Sequence, residues 1–253
     1  MNLIKTMVFN NGVPMVGRLF RRKNKYINVI YYHDIVQGKG YGSQKTNIDI
    51  FKKHIQYLKD KGYRTYTFDE LENNVEYSNK SVLITFDDGW RSNYTEIFSF
   101  MKEMKIKYNI YLEVGNVGNN EEYLTWDMIR EMHTSGFVGF GAHTFTHPDM
   151  SDISKIDVNL EFEKANKKIT EETGIIPKDF CYPFGKWSEA SNKYIIENTD
   201  YERIYTSSMM FSYEQEGKIV FGRSSINGER PLKVFVNMVK GNYNVFSDLK
   251  GVK

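Results

Sequence analysis

The sequence comprises 253 residues, with 34 lysines and arginines against 32 aspartates and glutamates and a single cysteine. The balanced charge gives no reason to expect a nucleic-acid partner. The lone Cys181 excludes an intramolecular disulfide and a cysteine zinc cluster, and the lack of an apolar run of about 18 residues excludes a membrane-spanning helix. The length suits one large domain with a well-buried core.

Residues 1–25 form a basic, amphipathic segment that precedes the predicted domain at residues 26–253. Its second half places apolar side chains at helical spacing beside basic ones: Met15, Val16, Leu19 and Phe20 next to Arg18, Arg21, Arg22 and Lys23. Residues 14–25 therefore predict either a helix lying on an anionic membrane surface or a surface helix packed on the domain. Polar and turn-forming residues interrupt the apolar core that an export signal needs. We expect a cytoplasmic or peripheral membrane location, or the cell envelope if an export signal has been removed.

Strand-like and helix-like segments alternate along the rest of the chain. The predicted strands cover residues 26–34, 64–68, 81–86, 107–113, 137–142, 179–182, 203–207 and 218–221. The predicted helices cover residues 48–61, capped by Asn47, then 92–104, 125–133, capped by Thr125, then 154–173 and 188–198, with a helical turn at 69–74. The pattern after Pro231 predicts no definite element. This alternation predicts a single α/β domain built on a parallel sheet or a (β/α) barrel, whose functional sites collect at the carboxyl ends of the strands.

Two adjacent aspartates follow the buried strand at residues 81–86. Asp87 and Asp88 place like charges at the end of an apolar run, which is unfavourable unless a cation, a shared proton or a basic partner neutralises one of them. Adjacent side chains of an extended strand point in opposite directions, so both reach one site only if the chain bends, which Gly89 permits. One carboxylate can then bind a metal while the other acts as a general base toward water. The alternative is that one of them caps the helix that begins near Ser92.

His143 and His147 follow the strand at residues 137–142 and are four residues apart. In a continuing strand such positions are about 13 Å distant, so the chain must turn between them if both bind one ion. Gly141 and Pro148 favour such a break. Two imidazoles and a carboxylate suit zinc, with cobalt, nickel or iron as alternatives. Together with the strand-end aspartates, the pair predicts a divalent-metal site.

Two further strand ends carry candidate catalytic groups. His33 ends the first strand of the domain and could protonate a leaving amine as a general acid, with a structural histidine as the alternative. The turn Pro183-Phe184-Gly185 follows the strand at residues 179–182. Its backbone N–H groups are candidate donors to an oxyanion, or the segment is an ordinary turn.

Taken together, these motifs resemble those of the polysaccharide deacetylases, carbohydrate esterase family four, with the nodulation-type chitooligosaccharide deacetylase domain. The resemblance is carried by Thr85-Phe86-Asp87-Asp88-Gly89, His143-Thr-Phe-Thr-His147 and Tyr182-Pro183-Phe184-Gly185, and it extends to Tyr32-His33-Asp34 and Leu124-Thr125-Trp126. It covers about residues 26–226. The early histidine, and the lack of a late one, make the chain more similar to the permuted poly-N-acetylglucosamine deacetylases than to the commoner arrangement. The resemblance implies a distorted (β/α) barrel with fewer than eight strands.

The resemblance also implies catalytic roles. It implies Asp87 as the general base, His33 as the general acid and the backbone N–H of Phe184 as an oxyanion donor. Cys181 departs from the family pattern, because the matching place usually holds an arginine that orients the base. Arg223 is our candidate for the missing partner of Asp87, with a surface arginine as the alternative.

The implied ligands of a divalent metal are Asp88, His143 and His147, with zinc favoured. Residues that lie near the motifs in sequence are candidates to contact the sugar, in particular through aromatic rings that stack on it. These predicted substrate contacts are Tyr182, Pro183, Trp187 and Trp90.

The activity that the resemblance implies is metal-dependent removal of N-acetyl groups from amino sugars of a polysaccharide or glycolipid, with an N-acetylglucosamine-type glycan favoured. One alternative is an O-acetyl esterase or deformylase acting on a lipid-linked sugar, which the basic amphipathic segment would fit. Another is an inactive glycan-binding module. The chain retains Asp87, His33 and the two metal histidines, which argues against this alternative. The implied partners are a glycan or glycolipid and, through residues 14–25, a membrane surface. The sequence does not specify an oligomeric state.

Overall fold

A computed structural model of the chain describes residues 13–15, 26–40, 44–71, 77–210, 212–226, 228 and 230–244. Most of the basic segment at residues 1–25, and with it most of the predicted membrane contact at residues 14–25, lies outside the described residues. Among the helices of the described part, none combines the length and the apolar character needed to cross a membrane.

Strands and helices alternate as the sequence predicts. The strands are β1 (Asn28–Tyr32), β2 (Asp34–Val36), β3 (Lys45–Asn47), β4 (Arg64–Thr65), β5 (Ser81–Phe86), β6 (Tyr108–Leu112), β7 (Val138–Ala142), β8 (Asp179–Cys181), β9 (Arg203–Tyr205), β10 (Tyr213–Gln215), β11 (Lys218–Phe221) and β12 (Arg223–Ser225). The α-helices are α1 (Ile48–Asp60), α2 (Ser92–Thr95), α3 (Phe98–Met104), α4 (Trp126–Thr134), α5 (Ala165–Thr173), α6 (Glu189–Asn198) and α7 (Leu232–Val239). Short 3₁₀ turns lie at Phe68–Glu70, Ile153–Lys155 and Pro183–Gly185, and a π-helical turn lies at Asn159–Lys164.

A largely parallel sheet forms the centre of the fold, in the order β10-β11-β9-β8-β7-β6-β5-β1-β12, with β4 beside β5. The strand β10 is an antiparallel addition to β11. Strand β11 pairs with β9 and strand β12 pairs with β1, and only Gly222 separates these two strands in the chain. Residues 218–225 therefore lie beside β9 at one point and beside β1 at the next, so the sheet curves along the course of a distorted barrel. The predicted α/β class and the expectation of fewer than eight barrel strands are confirmed, with positions occupied by β1, β5, β6, β7, β8, β9 and the β11–β12 segment.

Alternate residues of each strand face opposite sides of the sheet, as extended backbone requires. The inner side packs in a buried cluster that includes Val29, Leu83, Tyr111, Cys181, Tyr205 and Phe221. The outer side packs against the helices in a larger cluster that includes Ile30, Ile84, Ile110, Phe140, Phe180 and Ile204. The inner space is tight, because a Cβ atom on Gly141 would lie 2.7 Å from the Asp179 carbonyl oxygen and 2.9 Å from the Tyr111 ring. Burial on both sides explains why β5 consists of an almost continuous apolar run.

The predicted helix starts at Asn47 and Thr125 are confirmed. The Asn47 side chain accepts hydrogen bonds from the backbone N–H groups of Asp49 at 2.8 Å and Ile50 at 3.1 Å. The Thr125 hydroxyl accepts one from Met128 at 3.3 Å. Each cap satisfies N–H groups that the first helical turn leaves without partners.

Two predicted helices are divided in the structure. The prediction of one helix over residues 154–173 is wrong, because a 3₁₀ turn and a π-helical turn precede α5. The π-helical turn directs the side chains of Glu161 and Phe162 inward, and both are buried. The predicted helix over residues 92–104 breaks at Ile97, whose φ of −122° is not helical and whose side chain is fully buried.

Strands β2, β3, β10 and β12 and helix α7 were not predicted. The four strands are only three residues long, too short to show a clear alternation. Helix α7 has buried residues at Val234, Phe235, Met238 and Val239. Their helical spacing was a usable signal in the tail after Pro231.

A buried ion pair lies at the amino-terminal end of the barrel. Arg203 donates from Nε and from Nη2 to the two carboxylate oxygens of Asp179, at 2.7 Å each. Its Nη2 also donates to the Phe68 carbonyl oxygen at 3.2 Å, and the Tyr205 hydroxyl donates to Asp179 at 2.8 Å. These polar groups hydrogen-bond one another beside a cavity of about 200 Å³ that Phe68, Asp179 and Arg203 line.

His54 on α1 is fully buried between the sheet and α7. Its Nε2 donates to the Arg230 carbonyl oxygen at 3.2 Å, so its Nδ1 accepts a hydrogen bond from the Tyr32 hydroxyl at 3.1 Å. The ring stacks on Phe235 with 4.2 Å between centroids. Burial lowers the pKa of His54 from 6.5 to about 4, so the folded protein holds the neutral imidazole at neutral pH.

We predict that His54 makes folding stability depend on pH. The unfolded chain binds a proton at the ordinary pKa of 6.5 and the folded chain only near 4. The contribution of His54 is therefore complete above the unfolded pKa and is lost as the pH falls toward the folded one, with a ceiling of about 3 kcal/mol. His54→Gln keeps one acceptor and one donor but does not titrate, so it should flatten this dependence. Urea unfolding between about pH 4.5 and 7.5 measures both proteins, and equal slopes would show that His54 is not the titrating group.

Candidate active site

The carboxyl ends of the barrel strands surround a cavity of about 260 Å³. Its lining residues belong to strand ends or to the segments that follow them: Tyr31, His33, Gln44, Asp87, His143, His147, Phe184, Ser207 and Ser225. Tyr31 and His33 continue the inner row of β1 after Val29. Asp87 continues the inner row of β5 after Leu83. Because side chains two positions apart share a side of the strand, the strands themselves direct these groups to one place.

Asp87 is held by a buried arginine. Arg223 donates from Nη1 to Oδ1 of Asp87 at 2.7 Å and from Nη2 to Oδ2 at 2.8 Å, a two-point pair of the strong kind. The Nε of Arg223 donates to the Thr206 carbonyl oxygen at 2.9 Å, which holds the guanidinium in place. Burial opposes ionisation of Asp87, but the charge and hydrogen bonds of Arg223 outweigh it and keep the pKa of Asp87 below its ordinary value. Asp87 is therefore a carboxylate at neutral pH.

The small side chain of Cys181 leaves space for this arginine. The Sγ atom of Cys181 lies 2.9 Å from Nη2 of Arg223, and the guanidinium lies 4.3 Å from the centroid of the Tyr31 ring. A longer side chain at position 181 would occupy the volume that the guanidinium fills. The arginine that meets Asp87 thus comes from β12, the strand that joins the ends of the sheet, and not from β8.

Asp88 leaves the alternation of the strand. Its φ is 75° and that of Gly89 is 84°, so the chain bends at these two residues and brings the Asp88 carboxyl group to the mouth of the barrel. Oδ1 of Asp88 lies 3.4 Å from Nε2 of His143 and 3.4 Å from Nε2 of His147. Burial opposes ionisation of Asp88, but the hydrogen bond and charge of His143 keep its pKa well below the ordinary value.

A tight turn brings His143 and His147 together, as their spacing requires. Thr144 and His147 have positive φ values of 65° and 58°, and the Thr144 hydroxyl accepts the N–H of His147 at 3.1 Å. Nδ1 of His143 donates to the Cys181 carbonyl oxygen at 2.7 Å, so Nε2 is the nitrogen that faces Asp88. Burial opposes protonation of this ring, but Cys181 and Asp88 outweigh it and raise the pKa of His143, so an ion that binds at Nε2 displaces a proton. Burial, together with the neighbouring His143, lowers the pKa of His147 to about 4. His147 is therefore a neutral ring at neutral pH, which is the form that binds metals.

Asp88, His143 and His147 fit a divalent metal ion. The facing atoms, Oδ1 of Asp88 and Nε2 of the two histidines, are 3.4, 3.4 and 3.2 Å apart. Ligands at about 2.0–2.1 Å from a tetrahedral zinc ion are roughly 3.3–3.4 Å from one another. One carboxylate and two imidazoles also leave positions for water and substrate, as in catalytic sites.

A second group of potential ligands, Asp87, His143 and Cys181, is also compact. It suits a cation poorly, because Arg223 donates to both carboxylate oxygens of Asp87 and contacts the Cys181 sulfur. The guanidinium already supplies the positive charge at that position.

The structure also brings His33 and Phe184 to the cavity. Nε2 of His33 lies 3.9 Å from Oδ2 of Asp87. Phe184 is the second residue of the one-turn helix Pro183–Gly185, where a backbone N–H has no acceptor within the helix. Its φ is 55°, and its ring lies 4.3 Å from the His147 ring between centroids.

The predicted sugar contacts at Tyr182 and Pro183 are wrong for their side chains. Tyr182 is 1% exposed and its hydroxyl donates to Asn192 at 3.0 Å. Pro183 is also buried. Trp187 lies beside Tyr182, with ring centroids 6.3 Å apart, and it is not among the residues that line the cavity in the described part of the chain.

Trp90 contacts the candidate metal site directly. Its indole N–H donates to Oδ2 of Asp88 at 2.9 Å, and its ring stacks on Tyr123 with 4.7 Å between centroids. Trp90 therefore holds the carboxylate oxygen of Asp88 that does not face the histidines. One face of this half-buried ring and its only polar atom are thus used by the protein, and the sugar contact of Trp90 stays a prediction.

Four cavity residues escaped the sequence analysis: Tyr31, Gln44, Ser207 and Ser225. Tyr31 lies two positions before His33, and Ser225 lies two positions after Arg223. Once an inner residue of a strand is known, counting in steps of two along that strand finds its neighbours. No comparable signal points to Gln44, which precedes β3 in a loop.

Comparison with known proteins places these motifs in a family context. The sequence profile of the family described as polysaccharide deacetylase matches residues 74–204, which are 131 of the 253 residues. The matched interval includes Asp87, Asp88, His143, His147 and Phe184. His33 and Arg223 lie outside it.

Three proteins show the extent of the similarity. The protein YxkH of Bacillus subtilis (strain 168), named as a candidate polysaccharide deacetylase, is 27% identical over 207 residues, 79% of this chain and 71% of that protein. The poly-beta-1,6-N-acetyl-D-glucosamine N-deacetylase of Staphylococcus aureus (strain MRSA252) is 24% identical over 195 residues, 70% of this chain and 65% of that protein. The solved structure of the Streptococcus pyogenes deacetylase PplD in complex with acetate has a TM-score of 0.74 at 21% identity, covering 84% of this chain and 97% of that one, and it shares the fold.

We predict that metal-stripped protein binds one Zn²⁺ or Co²⁺ ion and that its Tm rises with metal concentration, because only the folded chain assembles the three ligands. Asp88→Asn and His147→Ala should each remove most of this stabilisation. His33→Asn is the matched control, since His33 lies in the same cavity but is not one of the three ligands. Isothermal titration gives stoichiometry and affinity. Unchanged affinity in the His147 variant would show that the ion binds elsewhere.

Proposed function

The chain belongs to the polysaccharide deacetylase family, and from this premise we propose that it is a metal-dependent hydrolase that removes N-acetyl groups from the amino sugars of an N-acetylglucosamine-type glycan. The observation that carries the proposal is the separation of roles between two adjacent carboxylates. Asp87 pairs with Arg223 beside His33, whereas Asp88 faces the two histidines of a candidate metal site. Asp87 is thus available to accept a proton, and Asp88 is available to bind the ion.

The similar proteins support this choice of substrate class. The Staphylococcus aureus relative is named for removing N-acetyl groups from poly-beta-1,6-N-acetyl-D-glucosamine. Because the chain spans 65% of the staphylococcal protein, we propose the same type of glycan for it, and short N-acetylglucosamine oligomers are the substrates to test first.

In the proposed reaction, water attacks the amide carbonyl and the C–N bond breaks. A divalent ion, with zinc favoured and cobalt, nickel or iron as alternatives, would lower the pKa of a water molecule and polarise the carbonyl. Asp87 takes a proton from the attacking water, since it is ionised and lines the cavity. The two hydrogen bonds from Arg223 hold its carboxylate in one orientation, so the base needs no reorganisation during the reaction.

Two further groups complete the reaction. His33, 3.9 Å from Asp87, donates a proton to the amide nitrogen as it leaves, so the products are acetate and the free amino sugar. The backbone N–H of Phe184 donates to the carbonyl oxygen as negative charge develops on it. Two observations support this role: Phe184 lines the cavity, and its backbone has a positive φ of 55°.

We predict that the purified protein releases acetate from an N-acetylglucosamine oligomer, that a chelator abolishes the release and that added Zn²⁺ or Co²⁺ restores it. A panel with O-acetylated and N-formylated sugars distinguishes the proposed N-deacetylase from an O-acetyl esterase and from a deformylase. Acetate or formate is measured by an enzyme-coupled assay. Glycan binding without acetate release, at every metal tested, would instead support a binding module.

We predict that Asp87→Asn lowers kcat by about 10²–10⁴-fold, the range of a lost general base, while metal affinity stays close to that of the wild type. The substitution also leaves the Arg223 guanidinium without its charged partner, so the Tm should fall. Asp69→Asn, an exposed carboxyl at the other end of the barrel, is the matched control for charge. Near-normal turnover of the Asp87 variant would assign the base to another group.

A further inference from the structure

The loop between the two metal histidines is fastened to a buried glutamate that no motif includes. We propose that Glu161 is a positioning residue that holds the 144–146 loop, and with it His143 and His147, in the geometry that binds the ion. The inference rests on the proposed metal-dependent function and adds to it a residue outside the ligand set. Glu161 lies in the π-helical turn Asn159–Lys164 and is 3% exposed.

Both carboxyl oxygens of Glu161 are used on this loop. Oε2 accepts the backbone N–H of Phe145 at 2.8 Å and the backbone N–H of Thr146 at 2.9 Å. Oε1 accepts the hydroxyl of Thr146 at 2.5 Å. The Glu161 carboxylate therefore accepts three hydrogen bonds from two consecutive residues that lie between the metal ligands. A helix N-cap side chain accepts backbone N–H groups in the same way.

The local backbone explains how Glu161 reaches the loop. A π-helical turn is wider than an α-helical one and commonly marks a functional position. Here it places Glu161 and Phe162 inward, with Phe162 in the main core. The backbone N–H of Glu161 donates to the Asp157 carbonyl oxygen at 2.9 Å, so the turn is itself anchored.

The opposite side of the loop is held by main chain. Val114 N–H donates to the Thr144 carbonyl oxygen at 3.2 Å, and Gly115 N–H donates to that of Phe145 at 2.8 Å. A Cβ atom on Gly115 would lie 2.6 Å from the Phe145 oxygen, so the two segments are in the closest contact that backbone allows. The carbonyl oxygens of Thr144 and Phe145 thus accept hydrogen bonds from residues 114–115. The N–H groups of Phe145 and Thr146 donate to the single side chain of Glu161.

This attachment matters because the loop is strained. Thr144 and His147 both have positive φ, a conformation that persists only where surrounding contacts over-determine it. Without Glu161, two N–H groups lose their acceptor and the turn is free to relax toward ordinary dihedral angles. The Nε2 atoms of His143 and His147 would then leave their 3.2 Å separation. Losing such outer interactions of a metal site typically lowers metal affinity about 10–100-fold.

The test is Zn²⁺ affinity of chelator-stripped full-length protein, measured by isothermal titration, in a graded set of variants. Glu161→Ala should bind Zn²⁺ about 10–100-fold more weakly than the wild type. Thr146→Val removes only one of the three hydrogen bonds, at an exposed residue. Its Zn²⁺ affinity should lie between those of the wild type and Glu161→Ala. Glu161→Gln can still accept both backbone N–H groups, so its affinity should stay within about threefold of the wild type.

Glu163→Ala is the matched control. Glu163 lies on the same π-helical turn but is exposed and pairs with Asn159 within it, so this variant should bind Zn²⁺ like the wild type. The Tm of each metal-free variant and the visible absorption spectrum of its Co²⁺ form are recorded alongside. A positioning role predicts a changed Co²⁺ spectrum in Glu161→Ala, which a merely less stable protein with intact ligand geometry would not show.

Equal Zn²⁺ affinities of the wild type and Glu161→Ala would overturn the inference and leave the proposed function standing. If Glu161→Ala does not fold, Thr146→Val decides, and unchanged affinity in that variant would overturn the inference. A Glu161→Gln protein as weak as Glu161→Ala would overturn the hydrogen-bond origin proposed here. Absence of Zn²⁺ and Co²⁺ binding by the wild type would overturn the proposed function and this inference together.

Discussion

Asp87 and Arg223 bury opposite charges against each other inside the barrel, and the geometry of the site depends on that pair. Removing two charges from water is unfavourable by several kcal/mol per ion unless close contact and further hydrogen bonds compensate. Both conditions are met, because Arg223 donates to Asp87 at two points and to the Thr206 carbonyl oxygen. The arginine stands on β12, which pairs with β1. The pairing of β12 with β1 therefore brings Arg223 to Asp87, and the guanidinium keeps the pKa of Asp87 below its ordinary value.

The carboxyl ends of the strands concentrate unusual backbone conformations. Among non-glycine residues of the described chain, positive φ occurs at Asp88, Thr144, His147 and Phe184 around the cavity, and at Lys105 and Glu216 away from it. Each such residue is unfavourable by about 1–3 kcal/mol in general. These conformations take side chains and N–H groups out of the strict alternation of the strands. Groups from different strands of the distorted barrel thus converge on one cavity at the carboxyl ends of the strands.

Each end of the barrel contains a buried arginine–aspartate ion pair, and the two pairs differ in their surroundings. At the amino-terminal end, Arg203 donates two hydrogen bonds to Asp179, and the pair joins β8 to β9. At the carboxyl end, Asp87 has an equally good arginine but also faces an open cavity beside His33. The first pair therefore contributes structure alone. The second leaves a fixed carboxylate accessible to a small molecule.

The sequence by itself determined the local features of this protein. The α/β class, the helix starts at Asn47 and Thr125 and the need for a turn between His143 and His147 follow from neighbouring residues, because propensities, caps and side-chain spacing act over short distances. Which distant segments meet was decided by the tertiary structure. The sequence offered Arg223 as a candidate partner of Asp87, with a surface arginine as the alternative. The tertiary structure decides for the buried pair, because the two residues are 136 positions apart in sequence and meet only where β12 lies beside β1. The sugar contact predicted for the Tyr182 side chain is wrong for the same reason, since that side chain is buried. Closeness to a motif in sequence says little about side-chain direction, which strand alternation and the backbone turns at the carboxyl ends of the strands decide.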